Sequence, residues 1–92
     1  YLFYPGEQMF IEAMKLGFSE SEATQLVQQM ILGSAQLWQH SGESPGTLRQ
    51  RVTSPGGTTA AAIEKFNDLK IGLGIQQGIN QALLRAVELS KP

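Results

Sequence analysis

Apolar residues recur every three to four positions along most of this chain, and no run of alternating apolar and polar residues persists anywhere. That period collects them on one face of a helix, so the pattern predicts an all-α fold, a helical bundle of about five helices. In the first segment, Leu2, Phe3, Met9, Phe10, Ala13, Met14 and Leu16 hold roughly helical spacing, interrupted by Pro5 and Gly6. A helix there is expected to begin at Pro5 or to bend near it, because proline lacks a backbone donor. Gly17 supplies a C-terminal stop, and Ser19-Glu20-Ser21-Glu22 reads as a capping box opening a second helix.

That second helix carries the clearest stripe: Ala23, Leu26, Val27, Met30, Ile31, Ser34, Leu37 and Trp38, running down to His40. Gly33, Ser34 and Ala35 are small enough to mark a helix crossing, or are simply small residues of a core helix. A turn follows from Ser41 to Pro45, then a short helix from Thr47 to Val52 with Leu48 and Val52 facing inward. Thr53 to Thr59 breaks all periodicity. Ala60, Ala61, Ala62, Ile63 and Phe66 restore a helix as far as Asp68, and Ile71 to Leu89 forms the last one.

With 92 residues, 41% hydrophobic and 16% charged, the chain suits one domain. A fold of this size buries only about 60–65% of its unfolded surface, so a monomer is marginal and association with a partner is expected. A net charge of −1 with no dense Lys/Arg cluster gives no footprint for nucleic acid or an anionic membrane. No apolar run approaches the roughly 20 residues of a membrane span. The absence of cysteine removes disulfides and thiolate metal sites and is compatible with a cytoplasmic location. Tyr1 opens abruptly inside a structured-looking segment, from which a larger protein cut at a domain boundary is expected.

Candidate chemistry concentrates in Thr53-Ser54-Pro55-Gly56-Gly57-Thr58-Thr59. The first N–H groups of a helix have no partner within it, and the helix dipole adds positive potential, so a carboxylate or phosphate can sit there without Arg or Lys. Glycines let a ligand approach the backbone, and the hydroxyls of Ser54, Thr58 and Thr59 can be aimed at it. The same residues would equally serve as ordinary helix caps. Elsewhere the chemistry is sparse. His40, the only histidine, suits a helix C-terminus, Trp38 suits a core or an interface, and Arg85 and Glu88 can pair across one turn. No set of residues builds a metal site. Gly72-Leu73-Gly74-Ile75-Gln76-Gln77-Gly78 has the wrong spacing for a dinucleotide loop and no preceding strand, and its glycines are expected to allow a turn and close helix packing.

The run Leu48-Arg49-Gln50-Arg51-Val52-Thr53-Ser54-Pro55-Gly56-Gly57-Thr58-Thr59 resembles the signature segment of pyrroline-5-carboxylate reductases. The likeness extends to Lys15-Leu16-Gly17-Phe18 with Ala23, to Gln28 through Ala35, and to Ala82 with Arg85, Glu88 and Leu89, so it covers essentially the whole chain. Pro5 and Gly6 depart from the family pattern, as does Leu73-Gly74-Ile75, which lacks a commonly found Arg.

The resemblance implies an all-α dimerisation and substrate-binding domain, residues 1–92, that intertwines with a second subunit. It further implies a parent enzyme that reduces 1-pyrroline-5-carboxylate to L-proline, the last step of proline biosynthesis. NADPH or NADH would be bound mainly by an N-terminal Rossmann domain absent from this chain, and no metal would take part. Substrate binding would fall to Val52, Ser54, Pro55, Gly56, Gly57, Thr58 and Thr59, with Thr59 the catalytic residue. A helical dimerisation module without enzymatic activity is the alternative.

Overall fold

A computed structural model describes all 92 residues as five helices joined by short turns, with no strand: α1 (Phe3–Lys15), α2 (Glu20–Ser41), α3 (Pro45–Arg51), α4 (Thr58–Asp68) and α5 (Ile71–Ser90). They fall into two units, Tyr1–Leu48 and Arg49–Pro92, whose boundary lies inside α3.

In the first unit, α1 begins at Phe3 rather than at Pro5. Pro5 is then the third helical residue, in the first turn, where an N–H would have no intrahelical partner and its loss costs nothing. The helix continues through Gly6, whose N–H donates to the Leu2 carbonyl at 3.0 Å. At the other end Gly17 takes φ +107°, its N–H donates to the Met14 carbonyl, and the Phe18 N–H donates to the Ala13 carbonyl. This Schellman pairing satisfies carbonyls that α1 leaves open, in a conformation that glycine adopts without a Cβ penalty. Two residues on, the Ser19 hydroxyl accepts from the Glu22 N–H at 3.2 Å while Glu22 Oε1 accepts from the Ser19 N–H at 2.9 Å. The capping box read in the sequence is therefore formed on both sides.

α1 packs against α2. Gly6 is the close point: a Cβ there would lie 3.6 Å from Ile31 Cδ1 and 3.9 Å from Val27 Cγ1. Ala23, Val27 and Ile31, one i, i+4 row of α2, are the part of its stripe that is buried or half-buried. Leu26, Met30, Leu37 and Trp38 remain exposed, Trp38 to 53%. Gly42, at φ +70°, ends α2.

α3 starts at Pro45, two residues before the expected Thr47, and ends at Arg51. Leu48 is half-buried, but Val52 falls beyond the helix and is 61% exposed, so it does not face inward.

In the second unit α4 and α5 pack against each other. Their connection is made by Lys70, in the left-handed region at φ +58°, and not by the glycines that follow. Gly72, Gly74 and Gly78 all lie inside α5, and a Cβ on any of them would meet nothing within 4 Å. Arg85 and Glu88 form the expected exposed ion pair at 2.8 Å. Across the whole chain only Gly6 and Ala23 are buried, so each unit is a pair of packed helices without an enclosed core.

Candidate functional site

The loop that breaks the helical pattern, Val52 to Gly57, is built from its ends inward. Thr53 closes α3: its hydroxyl donates to the Arg49 carbonyl and its N–H to the Gln50 carbonyl. The next four residues form a tight turn, with the Gly57 N–H donating to the Ser54 carbonyl at 3.0 Å. Pro55 occupies its second position and Gly56, at φ +72°, its third, the arrangement that favours glycine there. The turn is closed tightly enough that a Cβ on Gly57 would come within 3.2 Å of the Ser54 carbonyl oxygen.

Gly57 is also the N-cap of α4, extended at φ −86° and ψ 179°, and it has no side chain to offer the helix. Its carbonyl accepts the first helical bond, from Ala61 at 3.2 Å. The N–H groups of Thr58, Thr59 and Ala60 receive no side-chain cap and pair with no loop carbonyl. Thr58 is exposed, while Thr59 and Ala60 are half-buried. The hydroxyls of Ser54, Thr58 and Thr59 make no hydrogen bond within the chain. The capping role that the sequence left open for these hydroxyls is thus not taken up; contrast Ser19, which does cap its helix.

Of the seven residues singled out in the sequence, Ser54, Pro55, Gly56, Gly57, Thr58 and Thr59 lie on this one turn and the first turn of α4, and Val52 precedes the turn by two residues. Val52, Ser54, Pro55, Gly56 and Thr58 are exposed, and Gly57 and Thr59 half-buried. The Ala60 N–H joins them, a donor that sequence reasoning missed because its side chain carries no chemistry. Three uncapped N–H groups at the positive end of a helix, beside free hydroxyls, are a geometry that can hold a small anion without a cationic side chain.

The remaining groups gather into nothing comparable. A shallow hollow at the C-terminal end of α2 is lined by Ala35, Trp38, Gln39, Gly42 and Glu43 and contains none of the loop residues. No three His, Asp or Glu side chains come together as a metal site would require. No helix is long and apolar enough to cross a membrane.

An all-α chain with almost no core of its own fits the class of helical association domains. The family described as pyrroline-5-carboxylate reductase dimerisation matches residues 1–89, and the chain belongs to it. It is 40% identical over 91 residues to pyrroline-5-carboxylate reductase of Pseudomonas aeruginosa, covering 99% of this chain and 33% of that protein. The enzyme of Vibrio alginolyticus is 39% identical over 92 residues, with 99% of this chain and 34% of the relative covered. That of Kluyveromyces lactis is 33% identical over 85 residues, with 92% and 30% covered. The chain thus spans about a third of the length of these curated relatives.

Proposed function

We propose that this chain is the helical dimerisation and substrate-binding domain of a pyrroline-5-carboxylate reductase, which reduces 1-pyrroline-5-carboxylate to L-proline in proline biosynthesis. The observation that carries the reading is the set of uncapped N–H groups of Thr58, Thr59 and Ala60 beside the unpartnered hydroxyls of Ser54, Thr58 and Thr59. Family membership and the names of the relatives supply the substrate.

In this reading the substrate carboxylate is held by the Ser54 hydroxyl and the amides at the mouth of α4, with Gly56 and Gly57 leaving the backbone open to it. The Thr59 hydroxyl bonds the ring nitrogen, which fixes the face of the ring presented for reduction. Their contribution is orientation and stabilisation of charge as it shifts at nitrogen, since a threonine hydroxyl is too weak an acid to be a free proton source. The protonated imine or a water supplies that proton. Val52, just before the turn, and Pro55, on it, are both exposed and line its approach.

The parent enzyme uses a nicotinamide donor, NADPH or NADH; Gly72, Gly74 and Gly78 lie within a continuous helix rather than in a strand-to-helix turn. The donor is bound by a part of the protein outside these 92 residues, in an N-terminal Rossmann domain. Two copies of the helical domain associate, for a chain that buries only Gly6 and Ala23 leaves its apolar stripes to be covered by something else. The protein acts in the cytoplasm, in keeping with its cysteine-free sequence.

Steady-state kinetics of the full-length protein test the site. Thr59→Ala is expected to lower kcat, and Ser54→Ala to raise KM for pyrroline-5-carboxylate with a smaller change in kcat. Unaltered kinetics in both variants would remove the site from this loop.

A further inference from the structure

Thr53 is the last residue before the turn from Ser54 to Gly57, and it makes two hydrogen bonds back to α3. Its N–H donates to the Gln50 carbonyl at 3.2 Å and its hydroxyl donates to the Arg49 carbonyl. In a helix that ran on, the Thr53 N–H would go to Arg49, four residues back. Here it has moved one carbonyl forward, and the hydroxyl takes the place it left. One residue thus satisfies two of the carbonyls that the end of α3 leaves open, and the chain departs immediately after it. Thr53 is half-buried, and β-branching leaves its side chain few rotamers, of which the one that reaches the fourth carbonyl back is adopted.

The next residue depends on that anchor. The Ser54 hydroxyl makes no hydrogen bond within the chain, so its place is set by the Ser54 backbone and rotamer alone. That backbone is held from both sides: through the peptide bond to Thr53, and through its own carbonyl, which accepts from the Gly57 N–H at 3.0 Å. Gly57 is joined in turn to α4 by the Ala61 N–H, which donates to its carbonyl at 3.2 Å. Hydrogen bonds therefore run without a gap from the end of α3 to the first turn of α4, and Thr53 is the link at the α3 end. Its hydroxyl bond lies at the surface, so without it water can reach the Arg49 carbonyl and little stability is lost. The chain entering Ser54, however, keeps only one of its two tethers.

We infer that Thr53 is a positioning residue for the proposed reaction: through its hydroxyl on the Arg49 carbonyl it holds Ser54 at a fixed place relative to the amides of Thr58, Thr59 and Ala60. It acts through Ser54 and touches no substrate itself. This rests on the carboxylate site proposed above and adds to it the residue that keeps the two sides of that site in register.

Steady-state kinetics of the full-length protein with pyrroline-5-carboxylate test it on three variants. Thr53→Val keeps the branched shape without the hydroxyl, Thr53→Ala removes both, and Thr53→Ser keeps the hydroxyl. Thr53→Val and Thr53→Ala are expected to raise KM about fivefold with kcat changed less than about twofold, and Thr53→Ser to stay within about twofold of the parent. Melting temperatures should differ little among the three. Introduced into Ser54→Ala, the Thr53→Val change should raise KM no further, because a hydroxyl that is gone cannot be misplaced. A KM unmoved by loss of the Thr53 hydroxyl, a Thr53→Ser variant as impaired as Thr53→Val, or full additivity with Ser54→Ala would overturn the positioning role and leave the carboxylate site standing. An unaltered KM in Ser54→Ala itself would overturn both.

Discussion

The N–H of Gly57 donates to the carbonyl oxygen of Ser54 at 3.0 Å, and a Cβ added to Gly57 would stand 3.2 Å from that same oxygen. One contact thus does two things: it closes the turn, and it sets the angle at which the chain enters α4. Gly57 has φ −86°, a conformation open to any residue, so its requirement for glycine is one of space and not of backbone freedom. Gly56, at φ +72°, is the reverse case.

Alanine at these two positions should separate the two requirements. Gly57→Ala is expected to push the turn open by a few tenths of an ångström, misplacing the Ser54 hydroxyl and raising KM for pyrroline-5-carboxylate about tenfold in the full-length protein. Its melting temperature should change little. Gly56→Ala should instead lose about 1 kcal/mol of stability, the cost of a left-handed non-glycine residue, readable by urea denaturation.

At Gly6 the geometry predicts the opposite sign. A Cβ there makes ordinary contacts at 3.6 and 3.9 Å with Ile31 and Val27, and the residue is helical. Gly6→Ala should therefore stabilise the first unit by about 0.5–1 kcal/mol through reduced backbone entropy in the unfolded chain. A leucine at the same place would drive α1 away from α2, and denaturation curves of the two variants should shift in opposite directions.

Glu22 makes the stability of α2 depend on acid. Hydrogen bonds from the Ser19 backbone and side chain hold its carboxyl below the usual range, against a small opposing effect of burial. A lowered folded-state pKa means the contribution is present above the unfolded value and is lost as pH falls through the folded one, so it disappears in the range below about pH 4. Ser19→Ala removes the hydroxyl but keeps the backbone N–H that donates to Glu22 Oε1, so it should raise the Glu22 titration, followed by NMR, only part of the way toward that of an ordinary glutamate and lower the melting temperature at neutral pH, with much less effect below pH 3. A titration midpoint indifferent to Ser19→Ala would show that the hydroxyl contributes nothing to holding the carboxylate.

Local signals in the sequence were legible wherever a residue's own chemistry decides the structure. Gly17, the Ser19–Glu22 box, the end of α4 at Asp68 and the start of α5 at Ile71 stand where spacing and capping rules put them, while α4 begins at Thr58, two residues before the expected Ala60. Pro5 misled because a proline ring is equally compatible with a helix starting at it and with one starting two residues before it. The turn before α5 was hidden for a related reason: it uses Lys70 in a conformation that normally signals glycine, while three true glycines sit inside the helix. Val52 continues the apolar pattern of α3 by spacing, but the helix stops one residue earlier and leaves it exposed.

The candidate site was legible as residue types and only partly as geometry. Ser54, Thr58 and Thr59 suggest caps by composition, and nothing in their identity says that the helix would be entered from Gly57 with its first amides unclaimed. Ala60 could not have been found at all, because its contribution is a backbone N–H. The apolar stripes foretold burial, yet which of their residues are covered depends on neighbours that periodicity does not name. Val27 and Ile31 are sheltered by α1, while Leu26 and Trp38 on the same helix are not.

Amide NMR reads the central claim most directly. In a ¹⁵N-labelled sample, L-proline should move the N–H resonances of Thr58, Thr59 and Ala60 in a saturable way, and pyrrolidine, which has the ring without the carboxylate, should leave them in place. If proline moved none of these three, or if pyrrolidine moved them equally, the mouth of α4 would not be a carboxylate receptor.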